Sequence, residues 1–320
     1  MSEILPNIHR IDSQFGGRLL TSYVLVGDQA LLIDSGLAYT PQEIILPYLE
    51  KAQIPAEKIR WLVITHASGD HFGGNAAIKH RSPQTIIIAH KLDAAAISNH
   101  SKFIVEHITA LGADGIPVPD MKADSPDFLA LHGPETPVDW VVQGGEELEL
   151  DESWSVKLLH APGHTPGHLM VIDPLNRALF SGDAIMADGI PDLEGHLVMP
   201  PHYFEVDWYL HTIETARNLL PEYLLPTHYA PILGKDVELF LNNSQTFVTR
   251  FETGLLDLIR TKRRPLDMAS IINTIRDWLG IPNSDYQYGL LVRAHLRKLV
   301  RSRQIIPIQE NGILRWRDVA

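Results

Sequence analysis

The residues with the clearest chemistry in this 320-residue chain lie between Thr65 and His71. This stretch follows an apolar run and carries two imidazoles, His66 and His71, and one carboxylate, Asp70, on a single turn. Imidazole nitrogens and carboxylate oxygens are the donors that bind zinc, iron or manganese in proteins. The spacing therefore predicts a metal site. Because the chain has no Cys, any ligands must be His, Asp or Glu.

The elements that position this turn can be predicted from the hydrophobic pattern. Residues 59–65 form a continuous apolar run of the kind seen in buried strands, so the turn begins where a strand ends. Residues 20–26 and 29–34 are β-rich, and we expect them to pair as a hairpin that opens the fold. Further strands are expected at 84–89, 156–160, 168–172, 178–180 and 223–225, and helices at 41–51, 91–111 and 206–220. Short strands mixed with helices indicate an α/β sandwich.

A polar, proline-terminated stretch, residues 261–265, predicts two domains that cover residues 1–260 and 265–320. The net charge of −12 is unevenly distributed. Residues 257–320 hold 12 Lys or Arg against 6 Asp or Glu, and the rest holds 15 against 33, which gives +6 and −18. In the second domain we expect helices at 268–279 and 286–301 and a hairpin of 305–309 with 313–317. Helix, helix, hairpin is typical of a winged-helix domain.

Five separated segments resemble, in order, the motifs of the metallo-β-lactamase superfamily. They are Asp34-Ser35-Gly36, His66 with Asp70-His71, residues 163–168 (Gly-His-Thr-Pro-Gly-His), Ser181-Gly182-Asp183 and Thr227-His228. The resemblance implies an αββα metallo-β-lactamase sandwich, closest to glyoxalase II-like hydrolases, followed by the small winged-helix-like α+β domain. It also implies a supporting role for Asp34 behind the metal ligands. The implied ligands are His66, Asp70, His71, His164, Asp183 and His228.

Ser68 stands where the superfamily motif has its second histidine. By resemblance, one metal site keeps all its ligands, Asp70, His71, Asp183 and His228. The other site keeps His66 and His164 and lacks its third imidazole. A neutral hydroxyl is a weak ligand beside imidazole, so we expect one tightly bound ion next to a weakened or empty position. His168, His196 or His202 could supply the missing imidazole, but a hydrogen-bonding or surface role is the favoured interpretation of each, because ligands need a specific orientation.

The expected function is metal-dependent hydrolysis of an ester, thioester or lactone by a metal-activated water. Zn²⁺ is the expected ion, with Fe and Mn as alternatives. Asp70 and Asp183 would orient the nucleophile, and Ser68 would hydrogen-bond the water or the substrate. The expected partner is a small acyl substrate, and residues 91–138 are expected to form a cap that sets its shape.

Two other functions remain open. A nuclease is one, because the basic helix that carries Arg293 and Arg297 would suit phosphate contacts. The competing interpretation of that helix is a solvated face whose apolar side packs on the hydrolase body or on another subunit, and a homodimer is compatible with it. The second is a catalytically inactive metal- or ligand-binding protein, because Ser68 replaces a ligand histidine.

The N-terminal residues suggest no targeting or membrane segment. They lack a basic segment followed by an apolar one, and no apolar run approaches the ~18 to 20 residues of a membrane span. We therefore expect a cytoplasmic protein without membrane contact.

Overall fold

The structure, a computed structural model, describes residues 1–319 and contains two large sheets. The first sheet consists of β1 (Ser2–Leu5), β2 (Ile8–Phe15), β3 (Arg18–Val26), β4 (Ala30–Ile33), β5 (Ile59–Val63), β6 (Ile86–His90) and β7 (Trp140–Val142). These strands are neighbours in chain order. The strands from β1 to β4 pair antiparallel, and those from β4 to β7 pair parallel. Parallel pairing brings the carboxyl ends of β4 and β5 to the same edge of the sheet.

The second sheet holds six strands. They are β8 (Glu147–Asp151), β9 (Trp154–His160), β10 (Leu169–Asp173), β11 (Ala178–Gly182), β14 (Tyr223–Pro226) and β15 (Ile232–Leu233). Their spatial order is β15-β14-β11-β10-β9-β8. Two short strands, β12 (Ile190–Pro191) and β13 (Leu197–Met199), form a separate hairpin. Since β11 and β14 are parallel, the residues that follow them also emerge at one edge.

Helices cover the outer faces of both sheets. They are α1 (Leu46–Lys51), α2 (Gly69–Phe72), α3 (Asn75–Arg81), α4 (Ala94–Ser98), α5 (His100–Phe103), α6 (Pro126–His132), α7 (Val206–Asn218) and α8 (Lys235–Lys262). Between the sheets, Leu31 and Val63 pack in one apolar cluster with Val171 and Phe180. Two further clusters join the other face of each sheet to its helices. The layers are therefore helix, sheet, sheet, helix, which confirms the predicted αββα sandwich.

Two predictions in the first half of the chain need correction. The predicted hairpin is present as β3 and β4, but it does not open the fold, because β1 and β2 precede it. The helix expected over residues 91–111 is broken into α4, α5, a π-helical turn at 104–108 and a 3₁₀ turn at 109–114. The break has a local cause: the Asn99 side chain accepts a hydrogen bond from the Lys102 amide and starts a new helix. Strands β7 and β8 were also not predicted.

The C-terminal segment has the predicted order of helix, helix and hairpin. It comprises β16 (Leu266–Asp267), α9 (Met268–Leu279), α10 (Asp285–Arg301), β17 (Ile305–Glu310) and β18 (Ile313–Asp318). β18 pairs with both β16 and β17. Apolar side chains of the C-terminal segment, among them Ile271 and Leu291, pack in one cluster with Phe251 and Ile259 of α8 and with residues of the second sheet. The division at residues 260–265 stays a prediction, and the two parts share a continuous core.

Among the helices within residues 1–319, none is both long enough and apolar enough to cross a membrane.

Candidate metal centre

The predicted site residues follow strand ends that meet at one edge of the sandwich. The turn of His66, Asp70 and His71 comes after β5, and Asp183 comes directly after β11. His228 follows β14, which lies beside β11, and His164 lies in the loop that joins β9 to β10. The fold therefore brings all six predicted ligands to one place.

The distances within this group are short. Asp183 Oδ2 lies 3.1 Å from His228 Nε2, 3.6 Å from His71 Nε2 and 4.0 Å from His164 Nε2. His164 Nε2 lies 3.1 Å from His66 Nε2. Asp70 Oδ1 lies 3.9 Å from His71 Nε2, and Asp70 Oδ2 lies 4.0 Å from His228 Nε2.

Each of the four imidazoles turns its Nε2 into this shared space, because its Nδ1 is held from behind. His66 Nδ1 lies 3.0 Å from Thr65 Oγ1 and His71 Nδ1 lies 2.8 Å from Asp34 Oδ2. His164 and His228 direct Nδ1 to the backbone carbonyls of residues 202 and 19, at 3.1 and 2.7 Å. Outer hydrogen bonds of this kind fix the tautomer and orientation of metal-binding histidines.

The group fits a divalent metal ion. Two subsets, His66 with His71 and Asp183, and His71 with Asp70 and His228, each have donor atoms within 4.8 Å of one another. His71 Nε2 and Asp183 Oδ1 are buried and have no hydrogen-bond partner within residues 1–319. Buried polar atoms without partners are costly, and a cation between them would satisfy both.

Electrostatics point the same way. Burial opposes ionisation of Asp183, but His228 and His71 outweigh it and hold the pKa of Asp183 well below its usual value. Burial and the neighbouring imidazoles of His71 and His164 hold the pKa of His66 well below its usual value. For His71, the carboxylates of Asp34, Asp183 and Asp70 overcome burial and raise its pKa well above the usual value. The ionised carboxylates therefore attract a cation, and a metal competes with a proton for His71.

Asp34 occupies the supporting position that the sequence suggested. Its carboxylate accepts hydrogen bonds from the Thr65 amide and hydroxyl, each at 2.8 Å, and from His71 Nδ1. Its backbone has φ +60°, an unusual conformation for a residue other than Gly. Strain of this kind is kept where surrounding contacts enforce it, and here the three hydrogen bonds do so.

Ser68 lines the cavity above the site and contacts a predicted ligand. Its hydroxyl donates a 2.6 Å hydrogen bond to Asp70 Oδ1. The side chain that replaces a ligand thus orients another predicted ligand. The expected weakening of one metal position stays a prediction.

The three compensating histidines have different surroundings. His168 Nε2 accepts a hydrogen bond from the Asp183 amide at 3.1 Å, so its ring supports the site from behind. The His196 side chain is 73% exposed and lies beside Asp192 and Glu194. The His202 ring centre is 4.8 Å from that of His164, and burial lowers the pKa of His202 to about 3. His202 is therefore a neutral imidazole next to the predicted ligand His164.

Asp93 is a site-supporting residue that the sequence did not reveal. It is fully buried and accepts hydrogen bonds from the Ala67 amide at 3.0 Å, the Thr165 hydroxyl at 2.6 Å and the Gly167 amide at 2.8 Å. Ala67 adjoins His66, and Thr165 adjoins His164. One carboxylate therefore ties together two loops that carry predicted ligands. Nothing in the local pattern around residue 93 indicates this long-range role.

A cavity of about 520 Å³ opens above the site. Its floor includes Asp70, Asp183 and His228, and its wall includes the predicted cap through His107 and Met121. The C-terminal helix α10 also lines it, through residues 286, 287, 290 and 293. The cap contributes to the cavity as expected, whereas the contribution of the C-terminal segment was not predicted.

The basic face of α10 is largely neutralised. Arg297 and Arg301 both pair with Glu205, at 3.3 and 2.6 Å. Lys298 lies 3.0 Å from Glu252, and the buried Arg293 pairs with Asp114. These cations are therefore paired within the chain, although Arg297 and Arg301 stay partly exposed, and the role of this face stays a prediction.

An αββα sandwich with histidines and aspartates gathered at one edge defines the metallo-β-lactamase fold class. The sequence profile described as "Metallo-beta-lactamase superfamily" matches residues 16–228, and the chain belongs to that superfamily.

Two curated relatives and one solved structure illustrate the similarity. The chain is 30% identical to the hydroxyacylglutathione hydrolase GloC of Haemophilus influenzae over 41% of this chain and 52% of that protein. It is 25% identical to the human acyl-coenzyme A thioesterase MBLAC2 over 67% of this chain and 74% of that protein. The chain thus spans about half the length of GloC. Both names support the predicted class of metal-dependent hydrolase.

The solved structure is that of a metallo-beta-lactamase family protein from Thermus thermophilus. It superposes with a TM-score of 0.75 over 98% of this chain and 99% of its own, at 16% identity. At that identity the likeness concerns the fold alone, and it extends through the C-terminal segment.

Proposed function

We propose that this protein is a metal-dependent hydrolase of small acyl compounds, namely esters, thioesters or lactones. The observation that carries the proposal is the convergence of four Nε2 atoms and two carboxylates at one place, where Asp70, Asp183, His164 and His228 also line a cavity. A volume of about 520 Å³ suits a small molecule. The names of GloC and MBLAC2, a hydrolase and a thioesterase, support acyl transfer to water.

The residues divide the work in a simple way. His66, His71, His164, His228, Asp70 and Asp183 would hold the metal. Bound there, a divalent metal supplies Lewis-acid polarisation of a carbonyl and a water nucleophile near neutral pH. Ser68 holds Asp70 Oδ1, which leaves Oδ2 directed toward His228. Asp34 and Asp93 keep the ligand-bearing loops in place.

Zinc is the metal we propose, because a set of imidazoles and carboxylates without thiolate suits Zn²⁺ and also admits iron or manganese. We also propose unequal positions, with tight binding at Asp70, His71, Asp183 and His228. The position near His66 and His164 would bind more weakly.

A nuclease activity has less support. The cations of α10 that would contact phosphates pair with carboxylates of the same chain. Nucleic-acid binding that weakens steeply with added salt, and that is lost in Arg297→Gln, would favour the nuclease.

The test is hydrolysis of a panel of esters, thioesters and lactones by zinc-loaded protein. We expect turnover with at least one acyl class and a loss of at least a hundredfold in Asp183→Asn. Asp188→Asn, which changes an exposed carboxylate paired with Arg250, is the matched control. The absence of turnover on every acyl substrate by protein that contains zinc would contradict the proposal and favour the inactive binding protein.

A further inference from the structure

Arg18 places a positive charge in the wall of the cavity. It is the first residue of β3 and follows the hairpin turn of Gly16 and Gly17. Its backbone forms a bridge to Asp192, and the Leu193 amide donates to the Gly17 carbonyl at 3.3 Å. The hairpin tip is therefore held against the β12–β13 hairpin, so that the Arg18 backbone is fixed beside the cavity.

Within residues 1–319, the guanidinium of Arg18 lacks an anionic partner. No carboxylate oxygen of residues 1–319 lies within 4.0 Å of it. Among the described residues, its buried Nε has no hydrogen-bond partner. Its Nη1 contacts only one acceptor there, the sulfur of Met199 at 3.5 Å, which is a weak one. The other arginine in the cavity wall is neutralised, because Arg293 pairs with Asp114.

Asp192, whose backbone bridges to that of Arg18, uses its carboxylate for other hydrogen bonds. Asp192 Oδ1 accepts hydrogen bonds from the amides of Glu194 and His196, each at 2.9 Å. Its Oδ2 lies 3.5 Å from the His196 ring. The carboxylate therefore closes its own turn and leaves the guanidinium of Arg18 free.

We propose that Arg18 binds an anionic group of the substrate, so that the substrate is an acyl compound carrying a carboxylate or a phosphate. A planar guanidinium pairs with either group through two parallel hydrogen bonds. Phe15, whose ring centre lies 5.7 Å from the guanidinium carbon, and Met199 make the surroundings apolar, which strengthens such a pair. Of the other acids that line the cavity, Asp70 and Asp183 belong to the proposed metal site, and Glu106 is exposed. This substrate class rests on the proposed function.

The first experiment compares two thioesters of thiophenol, a butanoyl thioester and its ω-carboxylated counterpart, with zinc-loaded protein. We expect a preference for the carboxylated substrate in kcat/KM. In Arg18→Gln the ratio of the two kcat/KM values should fall about 10- to 100-fold, as for a lost charge-assisted hydrogen bond. Arg18→Lys should recover part of the ratio. Arg264→Gln removes an exposed arginine outside the cavity and controls for net charge.

The second experiment needs no turnover. Binding of glutarate and of inorganic phosphate to metal-free protein is measured by calorimetry, and we expect at least tenfold weaker binding in Arg18→Gln. The tighter of the two anions identifies the group that Arg18 receives. Equal binding by wild type and Arg18→Gln, or an unchanged substrate ratio, would overturn the proposal. If no thioester is hydrolysed, the proposed function fails, while the glutarate and phosphate measurements still decide the role of Arg18.

Discussion

The replacement of Asp93 by Asn is a sharp test of how the site is assembled. Asp93 Oδ2 accepts hydrogen bonds from the Ala67 amide and the Thr165 hydroxyl, and Asp93 Oδ1 accepts one from the Gly167 amide. Asn has one acceptor oxygen and presents an NH₂ group on the other side. If the Asn oxygen keeps the hydrogen bonds from the Ala67 amide and the Thr165 hydroxyl, its NH₂ group faces the Gly167 amide. Two hydrogen-bond donors then point at each other with no acceptor between them.

The expected loss of stability follows from these contacts. One buried amide without an acceptor costs about 1 to 3 kcal/mol. The two remaining hydrogen bonds are also weaker, because their acceptor is a neutral amide oxygen in place of a carboxylate oxygen. The backbone of Gly167 lies so close that an added Cβ would be 2.4 Å from Asp93 Oδ1, which leaves little room for relaxation. We therefore expect Asp93→Asn to lower the free energy of unfolding by about 2 to 4 kcal/mol.

Two measurements separate this role from ordinary burial. Urea unfolding of metal-free protein gives the stability change, and competition with a chelator gives zinc affinity, which should fall about 10- to 100-fold because both loops loosen. Asp173→Asn is the matched control. That carboxylate is equally buried and accepts three hydrogen bonds from Leu175 and Asn176, away from the site. Stability within about 0.5 kcal/mol of wild type, or an equal loss of zinc affinity in the control, would refute the reasoning.

Two further predictions concern single residues. Ser68→Ala removes the 2.6 Å hydrogen bond to Asp70 and should lower zinc affinity about tenfold, whereas Ser68→His should raise the zinc content per chain. Elemental analysis would contradict this if the zinc content of Ser68→His equalled that of wild type. Burial lowers the pKa of His295, so the unfolded chain takes up its proton first as the pH falls below about 6.5. The metal-free protein should therefore lose up to about 1.4 kcal/mol per pH unit from this residue, and His295→Gln should flatten the urea-unfolding profile between about pH 6.5 and 5.5. An unchanged slope would refute the assignment.

The sequence predicted most of the site because the site follows strand ends. Apolar runs indicated β5, β11 and β14. Polar residues directly after such runs, among them His66 and Asp183, meet where parallel strands share an edge. Asp93 escaped prediction because its partners are 26 to 74 residues away and no periodicity links them. The basic residues of α10 could be read from the sequence. Their neutralisation could not be predicted, because the carboxylates that pair with them lie on other elements. Strand β2 alternates only weakly between polar and apolar residues, which explains its omission.

Helix α10 forms part of the cavity wall, and this affects how relatives should be compared by sequence. The superfamily profile ends at residue 228, whereas Tyr286 and Gln287 lie almost 60 residues beyond it. Tyr286 also donates a 3.1 Å hydrogen bond to the His107 carbonyl of the cap, so the two walls of the cavity are joined to each other. Relatives with the same metal motif can therefore differ in the shape of the chamber above it. Grouping them by the residues equivalent to 286–293 should sort them by substrate better than grouping by the motif that names the family.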